Sequence, residues 1–303
     1  MPTPFVIADF CEDLRCQVNL QLADRGVAVP AGLNAERTLH FYLNLELRTL
    51  RPRPRKINWS DTVLGKRLLP VQSSVVKEIA AKSAAGDDLN PFLSDKLKTK
   101  PGYHDRMLND WGIFHLHLGG IKVEPDGFTT RSNALLYVYP QPDALYLLDV
   151  LEHGESFGDI HLVEIIHRNW PDIVAQYKMN LRLSLEPRSS ASAIVEARRR
   201  GLQPLIPLSD GTIYMPFGGG VSTCGLNSRI VRQTDSLLEL ARNLQHFCHQ
   251  EAEQIRAGIE AQTGRHLEQL HLKVMWVEAD LLIVESQVNI GILRPGQLPP
   301  RMA

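Results

Sequence analysis

The first hundred residues carry apolar positions at the three- and four-residue steps of amphipathic helices. One such stripe spans 35–50, and Asn34 stands where it can cap the first turn. A second helix is predicted over Val71–Ala85, followed by Gly86, a residue type favoured just beyond a helix end. The prolines of 51–56 exclude a helix there, because proline lacks an amide hydrogen and disfavours helix in the residue before it. The pattern therefore predicts a mostly helical start that contains a basic linker.

The period of the pattern then changes to that of strands. Trp111–Gly119, Leu135–Tyr139 and Leu145–Val150 are short runs rich in aromatic and aliphatic side chains, which are typical of strands. Pro140–Asp143 has the composition of a turn and separates the second run from the third. An antiparallel sheet is therefore predicted within 101–180.

The last third combines a long helix with a hairpin. Apolar residues repeat at helical steps through Ser236–Gln262, with Ser236 as the predicted N-cap and Gly264 as the predicted C-terminal cap. His271–Val277 and Leu281–Glu285 predict two strands joined by a short turn. The whole chain is thus predicted to be an α+β protein in three segments. They are a mostly helical region with a basic linker (1–100), a central antiparallel sheet domain (101–180) and a C-terminal α+β region with one long helix (181–303).

The composition is that of a globular protein. Of the 303 residues, 44% are hydrophobic and 22% are charged, which supplies enough apolar material for a core and excludes intrinsic disorder. The formal net charge of −1 excludes a globally basic protein that coats nucleic acid. No apolar run approaches the roughly 18 residues of a membrane-spanning helix, and the N-terminal stretch lacks the pattern of a signal peptide. The four cysteines form no CxxC pair, so we expect reduced thiols and a cytoplasmic protein without membrane association.

The histidines are concentrated in the middle of the chain. Six of the 11 lie between His104 and His167. His115 and His117 are two residues apart on a predicted strand, so they share one face, while Phe114, Leu116 and Leu118 take the opposite, buried face. Two imidazoles on one open face of a sheet are suited to acid–base chemistry or to metal binding. The plain alternative is a pair of solvated surface histidines.

If the histidines of this strand act as an acid and a base, the reaction they suit is the cleavage of RNA. The 2′-hydroxyl of RNA is the nucleophile, so cleavage needs a base, an acid and a cation for the phosphorane charge, but no metal or cofactor. Histidine titrates in the range that suits both the base and the acid, and arginine binds two phosphate oxygens at once. His115, His117 and His153, together with Arg131, are the predicted catalytic residues.

Two basic stretches precede the predicted sheet. Between residues 41 and 106 there are 13 Lys and Arg against 7 Asp and Glu, an excess that suits contact with phosphates. The alternative for these residues is a solvated linker. The predicted nucleic-acid-binding residues are Arg51, Arg53, Arg55, Lys56, Lys98, Lys100 and Arg106.

The order of the central motifs resembles the core of the RelE and HigB type of ribonuclease toxin. The resemblance runs from Tyr103 through the Trp111–Leu118 strand, Arg131 and the following strand pair to Asp149-Val150-Leu151-Glu152-His153. It implies a small curved antiparallel sheet with helices on one side, metal-free cleavage of RNA, and an inhibitory protein partner. The chain departs from the family where His115 or His117 replaces the usual arginine of the first strand.

Two other functions remain open at this stage. Histidines at i and i+2 are a common ligand pair, so a metal-dependent hydrolase is one alternative. Its further ligand would be a carboxylate or a third histidine, and the available residues are Glu124, Asp126, Asp149, His153 and Glu164. The other is a non-catalytic module that binds nucleic acid or protein through its basic stretches. A measurement of turnover distinguishes the binding-module hypothesis from the two enzyme hypotheses.

Overall fold

The structure is a computed structural model of the 303-residue chain, and it describes residues 5–152, 160–180, 196–197, 200, 202, 205, 207–277 and 280–293. Its helices are α1 (Phe10–Asp24), α2 (Ala35–Leu47), α3 (Asp61–Gly65), α4 (Pro70–Ala85), α5 (Lys96–Thr99), α6 (Arg106–Trp111), α7 (His161–Asn169), α8 (Ser228–Gln250) and α9 (Ala252–Thr263), with 3₁₀ turns at Asn90–Phe92 and Pro171–Tyr177. Its strands are β1 (Phe5–Ile7), β2 (Lys56–Trp59), β3 (Phe114–His117), β4 (Ala134–Pro140), β5 (Ala144–Glu152), β6 (Gln269–Val277), β7 (Asp280–Glu285) and β8 (Ile290–Leu293).

The fold is α+β, as predicted, with two four-stranded mixed sheets among the described residues. The predicted central strands are confirmed as β3, β4 and β5, and β3–β4 and β4–β5 pair antiparallel. The sheet is mixed because β2 adds to β5 in parallel, with Lys56 opposite Ala144. The end of the predicted basic linker therefore begins an edge strand.

Several helix ends follow from local sequence. Asn34 accepts a hydrogen bond from the Arg37 amide at 2.9 Å and so caps α2. Gly86 and Gly264 end α4 and α9 with φ of 89° and 67°, in the left-handed region that favours glycine.

The predicted long helix Ser236–Gln262 is wrong at its start and in its continuity, whereas its end is confirmed to within one residue, with Gly264 as the cap. The helical segment begins at Ser228, so Ser236 lies inside α8 and caps nothing, and Glu251 separates α8 from α9. Leu244 and Ile259 nevertheless belong to one apolar core. Because the apolar stripe continues across the break, hydrophobic periodicity alone does not reveal it.

The contacts divide the chain into two compact units, which differ from the three predicted segments. The first unit takes its described residues from 1–43 and 230–303, and the second takes them from 44–229. The first and last segments share a unit because β1 pairs in parallel with β6. Phe10 of α1 packs into the same apolar core as Leu270 of β6, which makes this long-range association favourable.

The sheet of the second unit, in the order β2-β5-β4-β3, is buried on both faces. Leu135 and Tyr137 of β4 face a core that includes Trp111 of α6 and Ile165 of α7. On the opposite face, Leu136 is also fully buried. In the part of the chain that the structure describes, no helix is both long and apolar enough to cross a bilayer.

Candidate functional site

The predicted alternation along β3 is confirmed. Phe114, Leu116 and Leu118 are buried, and His115 and His117 share the opposite face. The expectation that this second face is open is wrong. His117 is only 3% exposed and the His115 side chain only 11%, because their cross-strand partners Tyr137 and Leu135 face the core that includes α7.

His115 lies beside a carboxylate that sequence reasoning did not identify. Its Nδ1 is 3.4 Å from Oδ2 of Asp105, whose Oδ1 accepts a hydrogen bond from the Leu108 amide and caps α6. A carboxylate this close to Nδ1 favours the tautomer with the proton on that nitrogen, in which the lone pair lies on Nε2. The available sequence signal was an aspartate immediately before a short helix, a common capping position.

A small open pocket lies beside this pair. Lys96, the phenol ring of Tyr103 and the Asp105–His115 pair line it, as does Arg48, whose buried guanidinium donates to the carbonyl oxygens of Lys100 and Pro101. Leu93, Ser94, Leu97, Leu108 and Phe114 complete its wall. An imidazole beside a carboxylate and the nearby Lys96 ammonium can together bind an anionic group and move a proton.

His117 lies deeper, on the same face. Its ring centroid is 6.4 Å from that of His115, and its Nδ1 is 3.2 Å from the Ser132 carbonyl oxygen. A carbonyl only accepts hydrogen bonds, so Nδ1 carries a proton and the neutral ring has its lone pair on Nε2. In the neutral form of both histidines the lone pair therefore lies on Nε2, and His117 is nearly inaccessible.

The structure does not place the other two predicted catalytic residues, Arg131 and His153, in this pocket. Arg131 lies at the surface, 43% exposed, and its Nη2 is 2.6 Å from Oδ1 of Asp95. Asp95 directly precedes α5, so this ion pair attaches the segment before β4 to the helix that carries Lys96. His153 lies outside the described residues.

The predicted binding residue Arg55 requires a correction. It is 7% exposed, and its guanidinium donates to the carbonyl oxygens of Gln141 at 3.1 Å and Arg51 at 2.9 Å. A buried guanidinium that holds the linker in place is not placed to contact phosphate. Of its neighbours, Arg53 and Lys56 are exposed, and Arg51 pairs with Glu46.

The basic residues nearer the pocket are accessible. Lys98 and Lys100 are exposed on and just after α5, and Arg106 is partly exposed at the start of α6. The Lys98 ammonium donates to the Asp126 carbonyl and lies over the Phe128 ring. Of the basic residues in 96–106, Lys96 lines the pocket itself.

A second polar cluster interrupts the apolar face. Asp149 of β5 is 2% exposed, and its carboxylate lies 2.7 Å from Nζ of Lys66 and 3.4 Å from Nε2 of His161. Asp149 is the cross-strand partner of Tyr137, which is itself the partner of His115, so the three share one face. An aspartate within the apolar run Leu147–Leu151 was the sequence signal for such a buried carboxylate.

Within the described ranges, no group of three or more His, Cys, Asp or Glu side chains has an arrangement that could hold a metal ion. The described residues therefore offer no set of ligands for the metal-dependent hydrolase hypothesis. Comparison of the sequence with models of protein families and with curated proteins, and of the chain with solved structures, finds no match.

Proposed function

We propose that this protein is a metal-independent RNA endonuclease whose reaction centre is the pocket beside His115. The observation that carries the proposal is the contact of His115 Nδ1 with Asp105 at 3.4 Å, in a pocket that Lys96 also lines. This arrangement brings together an imidazole, which can take or give a proton, and a cation suited to a phosphate.

In the proposed reaction the protein takes one proton from the RNA and gives one proton back to it. Nε2 of His115 takes the proton of the 2′-hydroxyl, and the 2′-oxygen forms a bond to phosphorus while the bond from phosphorus to the 5′-oxygen breaks. A second group, which must start protonated, gives its proton to the departing 5′-oxygen; we assign this role to the imidazolium form of His117, so His117 ends neutral while His115 ends protonated. The products are a 2′,3′-cyclic phosphate and a 5′-hydroxyl end. Lys96 stabilises the charge that develops on the phosphorane oxygens.

The exposed basic residues next to Lys96 in sequence support the choice of a polyanionic substrate. Lys98 and Lys100 are exposed on and just after α5, the helix that carries Lys96, so they are available to neighbouring phosphates of a bound strand. An inhibitory protein partner, which the toxin resemblance implies, would act most directly by covering these lysines with acidic side chains. The proposal places the protein in the cytoplasm, where its RNA substrate is found.

The test is cleavage of single-stranded RNA by the purified chain. We expect cleavage to survive EDTA and to stop when the 2′-hydroxyl at the cleaved position is replaced by hydrogen. His115→Ala should slow cleavage by about 10²–10⁴-fold, the usual contribution of a positioned acid or base. His246→Ala is the matched control, since His246 is exposed on α8 in the other unit and should retain full activity.

Three outcomes would contradict the proposal. They are loss of activity in EDTA, equal cleavage of the 2′-deoxy substrate, and full activity of His115→Ala. RNA that is bound but left intact, with and without divalent metals, would instead identify a non-catalytic binding module.

A further inference from the structure

The loop that carries Tyr103 is held by two buried side chains of α2 and its C-terminal end. Nδ2 of Asn44, which is 2% exposed, donates to the carbonyl oxygens of Pro101 and Tyr103 at 2.8 and 3.1 Å. Nη1 of Arg48, which is 7% exposed, donates to the carbonyl oxygens of Lys100 and Pro101 at 3.1 and 3.2 Å. Four hydrogen bonds from buried donors therefore fix the backbone of this loop at the edge of the pocket.

Two cations lie over the Tyr103 ring, and they differ in mobility. The Arg48 guanidinium carbon is 5.5 Å from the ring centroid and is held by its two carbonyl partners. Nζ of Lys96 is 4.6 Å from the centroid, at the end of a flexible, partly exposed side chain. A ligand that stacks on the ring can displace the lysine at little energetic cost, since an exposed cation–π contact is worth only about 0.5–1 kcal/mol.

We propose that Tyr103 is a stacking platform for one base of single-stranded RNA, next to the phosphate that is cleaved. On binding, Lys96 leaves the ring and pairs with the phosphate, and the base takes its place. The apolar side chains of Leu93, Leu97 and Phe114 on the pocket wall suit the remaining surface of a base. The inference rests on the proposed function for the identity of the ligand as RNA.

This arrangement joins the two contacts that recur in proteins binding single-stranded nucleic acid, an aromatic face for the base and cations for the backbone. Stacking is tolerant of sequence because every base has a flat aromatic face. We therefore expect Tyr103 to contribute affinity for single strands with little preference among the four bases.

The experiment measures binding rather than cleavage. A fluorescent single-stranded oligoribonucleotide with 2′-O-methyl groups, which cannot be cleaved, is titrated with the chain and followed by anisotropy. Tyr103→Leu should bind about 5- to 150-fold more weakly, the range for loss of one stacked base. Tyr103→Phe is the matched control and should bind within about twofold of the wild type, because the ring and not the hydroxyl is used.

A second arm uses an oligonucleotide in which abasic sites replace the bases. If the ring stacks on a base, wild type and Tyr103→Leu should bind the abasic strand equally. Two results overturn the proposal. One is wild-type affinity of Tyr103→Leu for the complete strand, and the other is an equal loss on both strands, which would indicate that the ring only shapes the pocket.

Separate controls test whether the variant folds and whether the proposed reaction occurs. The anchors from Asn44 and Arg48 reach backbone carbonyls, so Tyr103→Leu should keep them, and thermal unfolding checks this. If the variant does not fold, the abasic comparison on the wild type alone decides the matter, and equal affinity for both strands overturns stacking. Because cleavage is not measured, normal turnover by His115→Ala would reject the proposed reaction and leave the stacking result unaffected.

Discussion

At the scale of single residues, burial decides which chemically capable side chains are available for reaction. Asp105 and Asp149 are both nearly inaccessible carboxylates, and each lies within 3.4 Å of a histidine nitrogen. Only the first pair lines the pocket described here, whereas Lys66 neutralises the second from 2.7 Å. Removal of Lys66 would leave the buried Asp149 carboxylate without that cation, so we expect it to destabilise the protein.

The cysteines provide a test at this scale. Burial raises the pKa of Cys248 to about 12, whereas Cys224 is exposed. Because the thiolate is the reactive form, iodoacetamide at pH 8 should alkylate Cys224 in the folded protein and leave Cys248 unmodified until denaturant is added. Peptide mass spectrometry reads both sites in one digest. Labelling of Cys248 as fast as Cys224 without denaturant would show that the core around α8 is open.

At the scale of elements, the glycine-rich segment Gly218–Gly220 has a packing role. The sequence places three glycines together, as in a flexible loop, but here they contact the end of α6. The amides of Gly218 and Gly220 donate to the carbonyl oxygens of Asp110 and Asn109 at 2.8 and 2.9 Å. A Cβ at position 218 would overlap the backbone of residues 108–112, so only glycine permits this close approach.

We therefore expect Gly218→Ala to destabilise the protein by about 1–3 kcal/mol, the usual range for overpacking. Gly258→Ala is the matched control, since that glycine lies inside α9 with nothing within 4 Å of an added Cβ. It should stabilise the protein by roughly 0.5–1 kcal/mol through its higher helix propensity. Urea unfolding of the three proteins measures both effects. A neutral Gly218→Ala would contradict the close packing of this segment on α6.

At the scale of the whole molecule, ion pairs join segments that are far apart in sequence. The Arg168 guanidinium, at the end of α7, binds both carboxylate oxygens of Asp61 at the start of α3, each at 2.7 Å. Together with Asn169, Arg168 holds the pKa of Asp61 well below its usual value. Backbone hydrogen bonding from Thr212 lowers the pKa of Asp210 in the same unit.

A lowered carboxyl pKa in the folded state means that the stabilisation is present above the unfolded pKa of about 4 and is lost as the pH falls through the folded pKa. Asp61→Asn should therefore lower Tm at pH 7 and reduce the further loss of Tm between pH 5 and pH 2. Asp87→Asn, the same change at an exposed aspartate, is the control. Thermal unfolding across this pH range measures both. Parallel curves for wild type and Asp61→Asn would exclude a contribution of the Asp61–Arg168 pair to acid sensitivity.

The sequence alone determined the features that depend on a few neighbouring residues. Asn34, Gly86 and Gly264 marked helix ends correctly, because a cap uses only the backbone within one turn. The alternation of Leu116 against His115 was also predictable, since successive side chains of a strand point to opposite faces.

The tertiary structure alone decided which surfaces are covered and which distant groups meet. The parallel pairings of β1 with β6 and of β2 with β5 bring together segments separated by many residues, and no local pattern specifies them. The same long-range packing buries His117 and Arg55, and it places Tyr103 on the pocket edge. A periodic pattern reports that a face is apolar or polar, but the partner that covers it is set by the free energy of packing the whole chain.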